Sequence, residues 1–267
     1  MIGLFLGDTD FPKKILNKVK KLNKKYFIID LSKDNIFRKD KNSFRISIGK
    51  LGKIIDLINQ KKSKKVLFAG KILKPNFSTL SLDLKGIYYM PSIIRAAKIG
   101  DAAILKTIIK ILSKEKIKVI RSNFFSPELS LKFGIYSKIK PNLNDISSIK
   151  KGIKYFKNLN SLDHVQAIIV KDDRIVSKEG KQGTKKMISK LKKKSGGILI
   201  KLPKPKQDLR LDLPTIGFNT LKDCKKFGLK GLVLKSKQNI FLDKKKCINF
   251  ANKNKIFIKV IWKKFLL

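Results

Sequence analysis

Along the first half of the chain, short apolar runs alternate with helical stripes. "IGLFLG" (2–7), "YFIIDL" (26–31), "KVLFAG" (65–70) and "IKVIR" (117–121) are the short runs. That is the pattern of strands buried on both faces. Between them, "PKKILNKVKKLNKK" (12–25) sets Ile15, Leu16, Val19 and Leu22 at helical spacing, with Pro12 at its start. "LGKIIDLINQKK" (51–62) and "DAAILKTIIKILSKEK" (101–116) repeat the stripe, the second with Asp101 as expected N-cap. Strands separated by helical stripes predict a parallel sheet with crossover helices. The expected fold class is α/β, beginning with a Rossmann-like N-terminal domain.

Periodicity fades over 122–145, where Pro127 and Pro141 fall. The expected division is an N-terminal domain over 1–134, a linker over 135–145 and an α/β C-terminal domain with a mixed sheet over 146–267. In that second part a helix is predicted over 144–159, capped by Asn144 or Asp145. A hairpin follows over 165–180, turning near Lys171–Asp173. Further helices are expected over 183–194, 219–228 and 243–254. The helix over 219–228 has Asn219 or Thr220 as cap and Gly228 as its stop. Strands are expected at 196–202, "KGLVLK", "NIFL" and 256–261.

Hydrophobic residues are 42% of the 267, enough for real cores, while the net charge is +45. Such a charge points first to nucleic acid. The make-up of the charge argues otherwise, because 58 of the 64 basic residues are lysine and six are arginine. Arginine forms the forks that grip phosphates and base edges. Lysine rising together with isoleucine and asparagine reads as compositional drift, and no specific nucleic-acid partner is expected. A lysine-rich surface still attracts anionic headgroups, by about 1 kcal/mol per lysine close to a membrane. Cys224 and Cys247 lack metal-type spacing and read as reduced thiols. The lone His164 reads as a solvated turn residue. "MIGLFLGD" has no charged n-region, and no apolar run approaches ~18 residues, so a cytoplasmic protein is expected.

Three stretches carry candidate chemistry. "GDTDFP" (7–12) follows the first strand, where a dinucleotide site would carry G-x-G-x-x-G, but it has one glycine and two acids, Asp8 and Asp10. "KIGDAAIL" (98–105) offers Asp101. The richest is "KPKQDLRLDLPTIG" (204–217). Read as extended chain, Asp208, Arg210 and Asp212 share one face and Leu209, Leu211 and Leu213 the other. The two carboxylates would then stand about 13–14 Å apart, too far for one metal ion unless the chain bends. "TIGFNT" leads into a helix N-terminus, a favourable place for phosphate. Together these are parts of a phosphoryl-transfer site. The competing reading is a charged edge strand followed by an ordinary capped helix.

The same stretch closely resembles the signature of the LpxI family, metal-dependent UDP-2,3-diacylglucosamine pyrophosphatases of lipid A synthesis. Lys204, Pro205, Gln207, Asp208, Arg210, Asp212, Pro214, Thr215 and Gly217 match its pattern. "IGKLGKIIDLI" (48–58), "LFAGKILKPNF" (67–77), "MPSIIRAAKIGD" (90–101) and "SKEGKQGTKKMI" (177–188) agree in the same order. The pattern departs at "GDTDFP" and at Ala102, Gln182 and Lys185, where the family often carries a second glycine and further acids.

The resemblance implies two domains, a substrate held between them and a homodimer formed through C-terminal elements. It implies Mg²⁺-dependent hydrolysis of UDP-2,3-diacylglucosamine to UMP and 2,3-diacylglucosamine 1-phosphate, at the cytoplasmic face of the inner membrane. Asp212 and Asp208 are then the expected catalytic and metal-binding carboxylates, Asp212 foremost. Lys204, Gln207 and Arg210 are expected to contact phosphate or sugar, and Thr215, Gly217 and Thr220 to present the helix N-terminus. Gly70, Gly100, Asp101, Glu179 and Thr184 complete the expected substrate-binding set. A basic binding protein for nucleic acid or lipid headgroups on the same fold is the alternative.

Overall fold

The computed structural model describes residues 1–72, 76–159, 165–180, 182–192, 195–204, 208–210 and 213–262, with side chains undescribed at 101–102. His164, Gln207 and Asp212 therefore lie outside the described residues. The chain forms two units. One comprises Met1–Ser126 with Asp208–Asp212, and the other Pro127–Gln207 with Leu213–Leu267.

The first unit is built on β1 (Ile2–Leu6), α1 (Asp10–Lys21), β2 (Tyr26–Asp30), β3 (Ser43–Phe44), α2 (Leu51–Gln60), β4 (Lys65–Ala69), α3 (Leu84–Ile99), α4 (Asp101–Lys114) and β5 (Lys118–Ile120). Its five strands run in the order β3-β2-β1-β4-β5, all parallel. All five residues of β1 are buried, as a central strand covered on both faces requires. Phe5, Phe27, Ile29, Val66 and Phe68 share one face with Ile55 and Ile58 of α2 and Ile109 and Leu112 of α4. α1 buries Ile15, Leu16 and Val19. The alternating strand–helix pattern thus gives the expected Rossmann-like parallel sheet. α3 has no counterpart among the helices expected from the sequence.

The second unit adds β6 (Gly134–Ile135), α5 (Leu143–Lys157), β7 (Ala167–Lys171), β8 (Arg174–Lys178), α6 (Gly183–Ser189), β9 (Ile198–Lys201), β10 (Thr215–Ile216), α7 (Phe218–Lys226), β11 (Gly231–Lys235), β12 (Ile240–Phe241), α8 (Lys244–Lys253) and β13 (Phe257–Ile261). Six strands form one mixed sheet, β6-β13-β11-β9-β7-β8, and β10 pairs with β12 in a ribbon. The central strands β13, β11 and β9 are parallel; β6, β7 and β8 run against their neighbours. Strand alternation sorts the core. Ile168, Val170, Ile198 and Ile200 meet Ile149, Ile153 and Phe156 of α5. Ile169, Leu199, Leu232 and Ile258 meet Met187, Leu221, Cys224 and Cys247 of α6, α7 and α8. The β7–β8 turn places Asp172 and Asp173 at φ 46° and 58°, the left-handed pair a two-residue hairpin needs.

Helix starts differ from expectation. α4 opens from Gly100, at φ 141°, rather than from Asp101, which is its first helical residue. α5 is capped by Asn142, not Asn144 or Asp145. Asn142 accepts from the Asp145 N–H while the Asp145 carboxylate accepts from the Asn142 N–H. α7 is capped by Gly217 rather than Asn219 or Thr220. It stops at Gly228, as expected. Gly228, at φ 75°, donates to the Lys225 carbonyl and Leu229 donates to the Cys224 carbonyl.

Candidate functional site

In the first unit, chain order reverses between β1 and β4: β2 follows β1 on one side while β4 lies on the other. Ligands of open α/β sheets collect at the carboxyl ends of strands at such a reversal. Here those ends cross closely. Asp8 and Lys71 exchange backbone hydrogen bonds of 2.8 and 3.0 Å. The crossing excludes side chains. A Cβ on Gly7 would lie 2.2 Å from the Lys71 carbonyl oxygen. One on Gly70 would lie 2.4 Å from both the Asp8 carbonyl oxygen and Pro12 Cγ. Gly70 also has φ 90°, a conformation glycine adopts without a Cβ penalty.

Beneath this crossing lies a cavity of about 330 Å³. Phe5, Phe68 and Gly70 from the strand ends line one side, and α2, α3 and α4 supply Ile55, Ile93 and Ile108 on the other. Its wall is overwhelmingly hydrocarbon. Pockets of this size hold small molecules, and so apolar a lining favours apolar groups. Asp30, fully buried at the end of β2, directs its carboxylate into its own loop. It accepts from the Ser32 N–H and hydroxyl and from the Phe37 N–H. The acidic Asp8 likewise accepts from the Lys33 N–H.

Asp208 and Arg210 do not lie on an extended strand. Leu209 and Arg210 form a turn. Asp208 Oδ1 accepts the Arg210 N–H at 3.0 Å, and the Arg210 guanidinium grips both carboxylate oxygens, with Nε–Oδ1 at 2.9 Å and Nη2–Oδ2 at 2.6 Å. An aspartate that bonds the N–H two residues on competes with strand hydrogen bonding and favours a turn. The guanidinium holds the Asp208 carboxyl below the usual carboxylate range. The Asp208 carboxylate is therefore engaged by arginine, which makes it a poor metal ligand as placed. Among the described residues, no group of three or more His, Cys, Asp or Glu side chains could hold a metal ion.

The second unit gathers other expected residues. Glu179, nearly buried, accepts from the Gln166 N–H through Oε2 and from the Thr184 hydroxyl through Oε1, the latter at 2.5 Å. Thr184 in turn accepts from Lys201 Nζ at 2.8 Å. This relay joins the end of β8, the first turn of α6 and the end of β9. Thr215 opens β10 and donates to the Leu213 carbonyl. Gly217 and Thr220 belong to the first turn of α7, where Thr220 N–H bonds the Gly217 carbonyl. No side chain caps that end of α7, and a helix N-terminus favours an anion. Lys204 follows β9.

Asn239 was not singled out by the sequence. It is buried, and its side-chain amide donates to the Lys201 and Pro214 carbonyls while accepting from the Lys235 N–H. Lys201 and Pro214 are the two ends of the segment that carries Asp208 and Arg210. The amide thus ties the end of β9 to the residue just before β10. The available signal was an asparagine next to the apolar "IFL", where burial demands that every amide group find a partner.

The expected residues thus fall into distinct groups. Asp208 pairs with Arg210, Glu179 with Thr184, and Thr215, Gly217 and Thr220 share the entry to α7. Gly70 and Gly100 mark turns of the first unit, and Asp101 starts α4. Cys224 and Cys247 are buried thiols, as expected, and burial pushes Cys224 up to about 12. No described helix is long and apolar enough to cross a membrane.

The model of the LpxI N-terminal domain matches residues 1–129, and that of the LpxI C-terminal domain matches 132–259. The UDP-2,3-diacylglucosamine pyrophosphatase LpxI of Caulobacter vibrioides is 29% identical over 223 residues, covering 80% of each chain. With both halves matched in order, the chain belongs to the LpxI family.

Proposed function

We propose that the protein hydrolyses the pyrophosphate of UDP-2,3-diacylglucosamine, releasing UMP and 2,3-diacylglucosamine 1-phosphate. The observation that carries this reading is the match of both LpxI domains along one chain, with a relative that bears this activity in its name. The apolar cavity of the first unit supports it, because an acylated substrate needs a dry, hydrocarbon-lined space.

In the reaction, the oxygen of water bonds to one phosphorus, the bond from that phosphorus to the bridging oxygen breaks, the bridging oxygen leaves with the other phosphate, and the proton of water is released to solvent or to the products. The chain's own residues bind and orient. Arg210 offers a guanidinium to phosphate, its position set by Asp208. Within the second unit, the first turn of α7 is a helix N-terminus, a place that favours an anion. Glu179, Thr184 and Lys201 tie the ends of β8 and β9 to the first turn of α6. The family likeness also assigns a divalent ion, Mg²⁺ first. Asp212 is the carboxylate proposed to hold it, and the ion would supply positive charge against the two phosphates. A homodimer and a seat on the cytoplasmic face of the inner membrane belong to the same proposal.

The test is incubation of the purified protein with UDP-2,3-diacylglucosamine, with and without Mg²⁺, following UMP. Asp212→Ala is expected to lower UMP release by about 10²-fold or more while leaving the thermal transition in place. Wild-type turnover in that variant would overturn the assignment of Asp212.

A further inference from the structure

We propose that the outward face of α3 is the surface through which this protein seats on an anionic lipid bilayer. The argument begins with the two faces of that helix. Gly86, Met90, Ile93 and Ala96 are buried, and Met90 and Ile93 line the apolar cavity. On the opposite side Ile87, Tyr88, Pro91 and Ile94 fall three, four, seven and ten residues after Leu84, which puts all five on one stripe. They are exposed: Leu84 is 87%, Tyr88 74% and Ile87 59% accessible. Of fifteen exposed large hydrophobic residues among the described ones, five belong to this one helix of 16 residues.

Compositional drift does not explain this stripe. A chain that fills its exposed positions with lysine has left this face apolar. Contiguous exposed apolar surface marks a protein or membrane contact. Charge selects between them. Arg95 and Lys98 lie exposed on the same side of α3, and Lys106 and Lys110 are exposed on α4, the helix packed against it. The whole chain carries +45. An apolar stripe edged by basic side chains is the composition of a helix that lies in the plane of an anionic membrane, with its hydrocarbon face at the acyl boundary. The Pro91 ring leaves the Ile87 carbonyl without its helical donor. At the wet headgroup level that carbonyl finds donors.

The choice of a bilayer rests partly on the proposed substrate, whose acyl chains reside in one. α3 then separates two apolar media. Its outer face meets the leaflet, and its inner face walls the cavity that would receive an acyl chain. A substrate leaving the leaflet beside α3 would need little travel through water.

The experiment is flotation of the full-length protein with vesicles of phosphatidylglycerol and phosphatidylethanolamine, and with vesicles of phosphatidylcholine alone. The variant replaces Leu84, Ile87, Tyr88 and Ile94 by serine, all on the exposed side and none lining the cavity. Wild type is expected to float with the anionic vesicles and much less with the neutral ones. The variant is expected to bind the anionic vesicles about tenfold more weakly or worse. UMP release is then measured from substrate dispersed in detergent and from substrate embedded in vesicles. The variant should lose rate only with the embedded substrate. If the variant floats as wild type does, or wild type floats with neither vesicle, the proposal fails. It also fails if wild type is a dimer in vesicle-free buffer and the variant a monomer, because a second copy then covers the stripe. If wild type floats, the variant does not, and neither releases UMP in any form, the bilayer face stands and the proposed reaction falls.

Discussion

In the first unit, α2 and α4 close over Phe5, Phe27 and Phe68, yet a cavity of about 330 Å³ remains at the carboxyl ends of the strands. In the second, alternate residues of β7, β9, β11 and β13 interlock with α5 on one face and with α6, α7 and α8 on the other. Its polar groups converge instead on the two ends of the segment that follows β9. The first unit thus keeps empty apolar space, and the second keeps a hydrogen-bonded frame. The contrast teaches that open apolar space and a hydrogen-bonded frame are built separately, each within its own unit. It also places the sensitive residues: backbone crossings in the first unit, buried amides and hydroxyls in the second.

The largest expected effect comes from Gly70→Ala. The new Cβ would press on the Asp8 carbonyl oxygen and on Pro12, both at 2.4 Å, in a residue at φ 90°. Strain and overpacking together should cost about 3–5 kcal/mol. Urea denaturation checks this, with a cooperative loss expected in the first unit. A cost under about 1 kcal/mol would mean that the crossing is loose, and that it does not hold the cavity's roof.

How much of this contrast was legible in the sequence follows from what each feature asks of its residues. The parallel sheet was legible because β1, β2 and β4 are nearly continuous apolar runs, and only double-sided burial selects those. α3 escaped because both of its sides are apolar, so no stripe stood out, and because Pro91 argues against a helix interior. β3 and β6 are two residues long and leave no period to count. At 208–210, counting by twos gave a strand face, but the side chain of Asp208 takes the backbone N–H that a ladder would need. Leu209 and Arg210 form a turn instead. Nothing in the spacing signals that Asp208 spends its oxygens on Arg210. Period counting treats side chains as facing in or out, and here the side chain rewrites the backbone.

A smaller effect is expected from Asn239→Ala, which tests the frame of the second unit. It removes the donor to the Lys201 and Pro214 carbonyls and strands the Lys235 N–H. Leaving buried polar groups without partners should cost about 2–3 kcal/mol. Because those carbonyls flank the segment bearing Asp208 and Arg210, KM for UDP-2,3-diacylglucosamine should rise alongside. Asn239→Asp keeps the acceptor for Lys235 but sets a carboxylate against two carbonyls, so it should rescue little. A stable variant with unchanged KM would show that the segment is held by other contacts, and the frame would lose its part in the contrast.

The smallest effect concerns Asp208, the residue on which strand and turn readings diverge. Arg210 depresses its folded-state pKa, so the ionised carboxylate stabilises the fold. That contribution is fully present above the unfolded value of about 3.9 and fades as pH falls through the lower folded value. The pair is partly exposed, with side-chain accessibilities of 45% for Arg210 and 19% for Asp208, so screening keeps its worth below about 1 kcal/mol. Asp208→Asn should therefore be slightly less stable than wild type at pH 7, and the gap should close below about pH 4. Added salt should narrow it too. Paired denaturation curves across pH measure this directly. A gap that persists unchanged in acid would show that the charge on Asp208 does not carry the effect. Arg210 would then be free to turn wholly toward a phosphate.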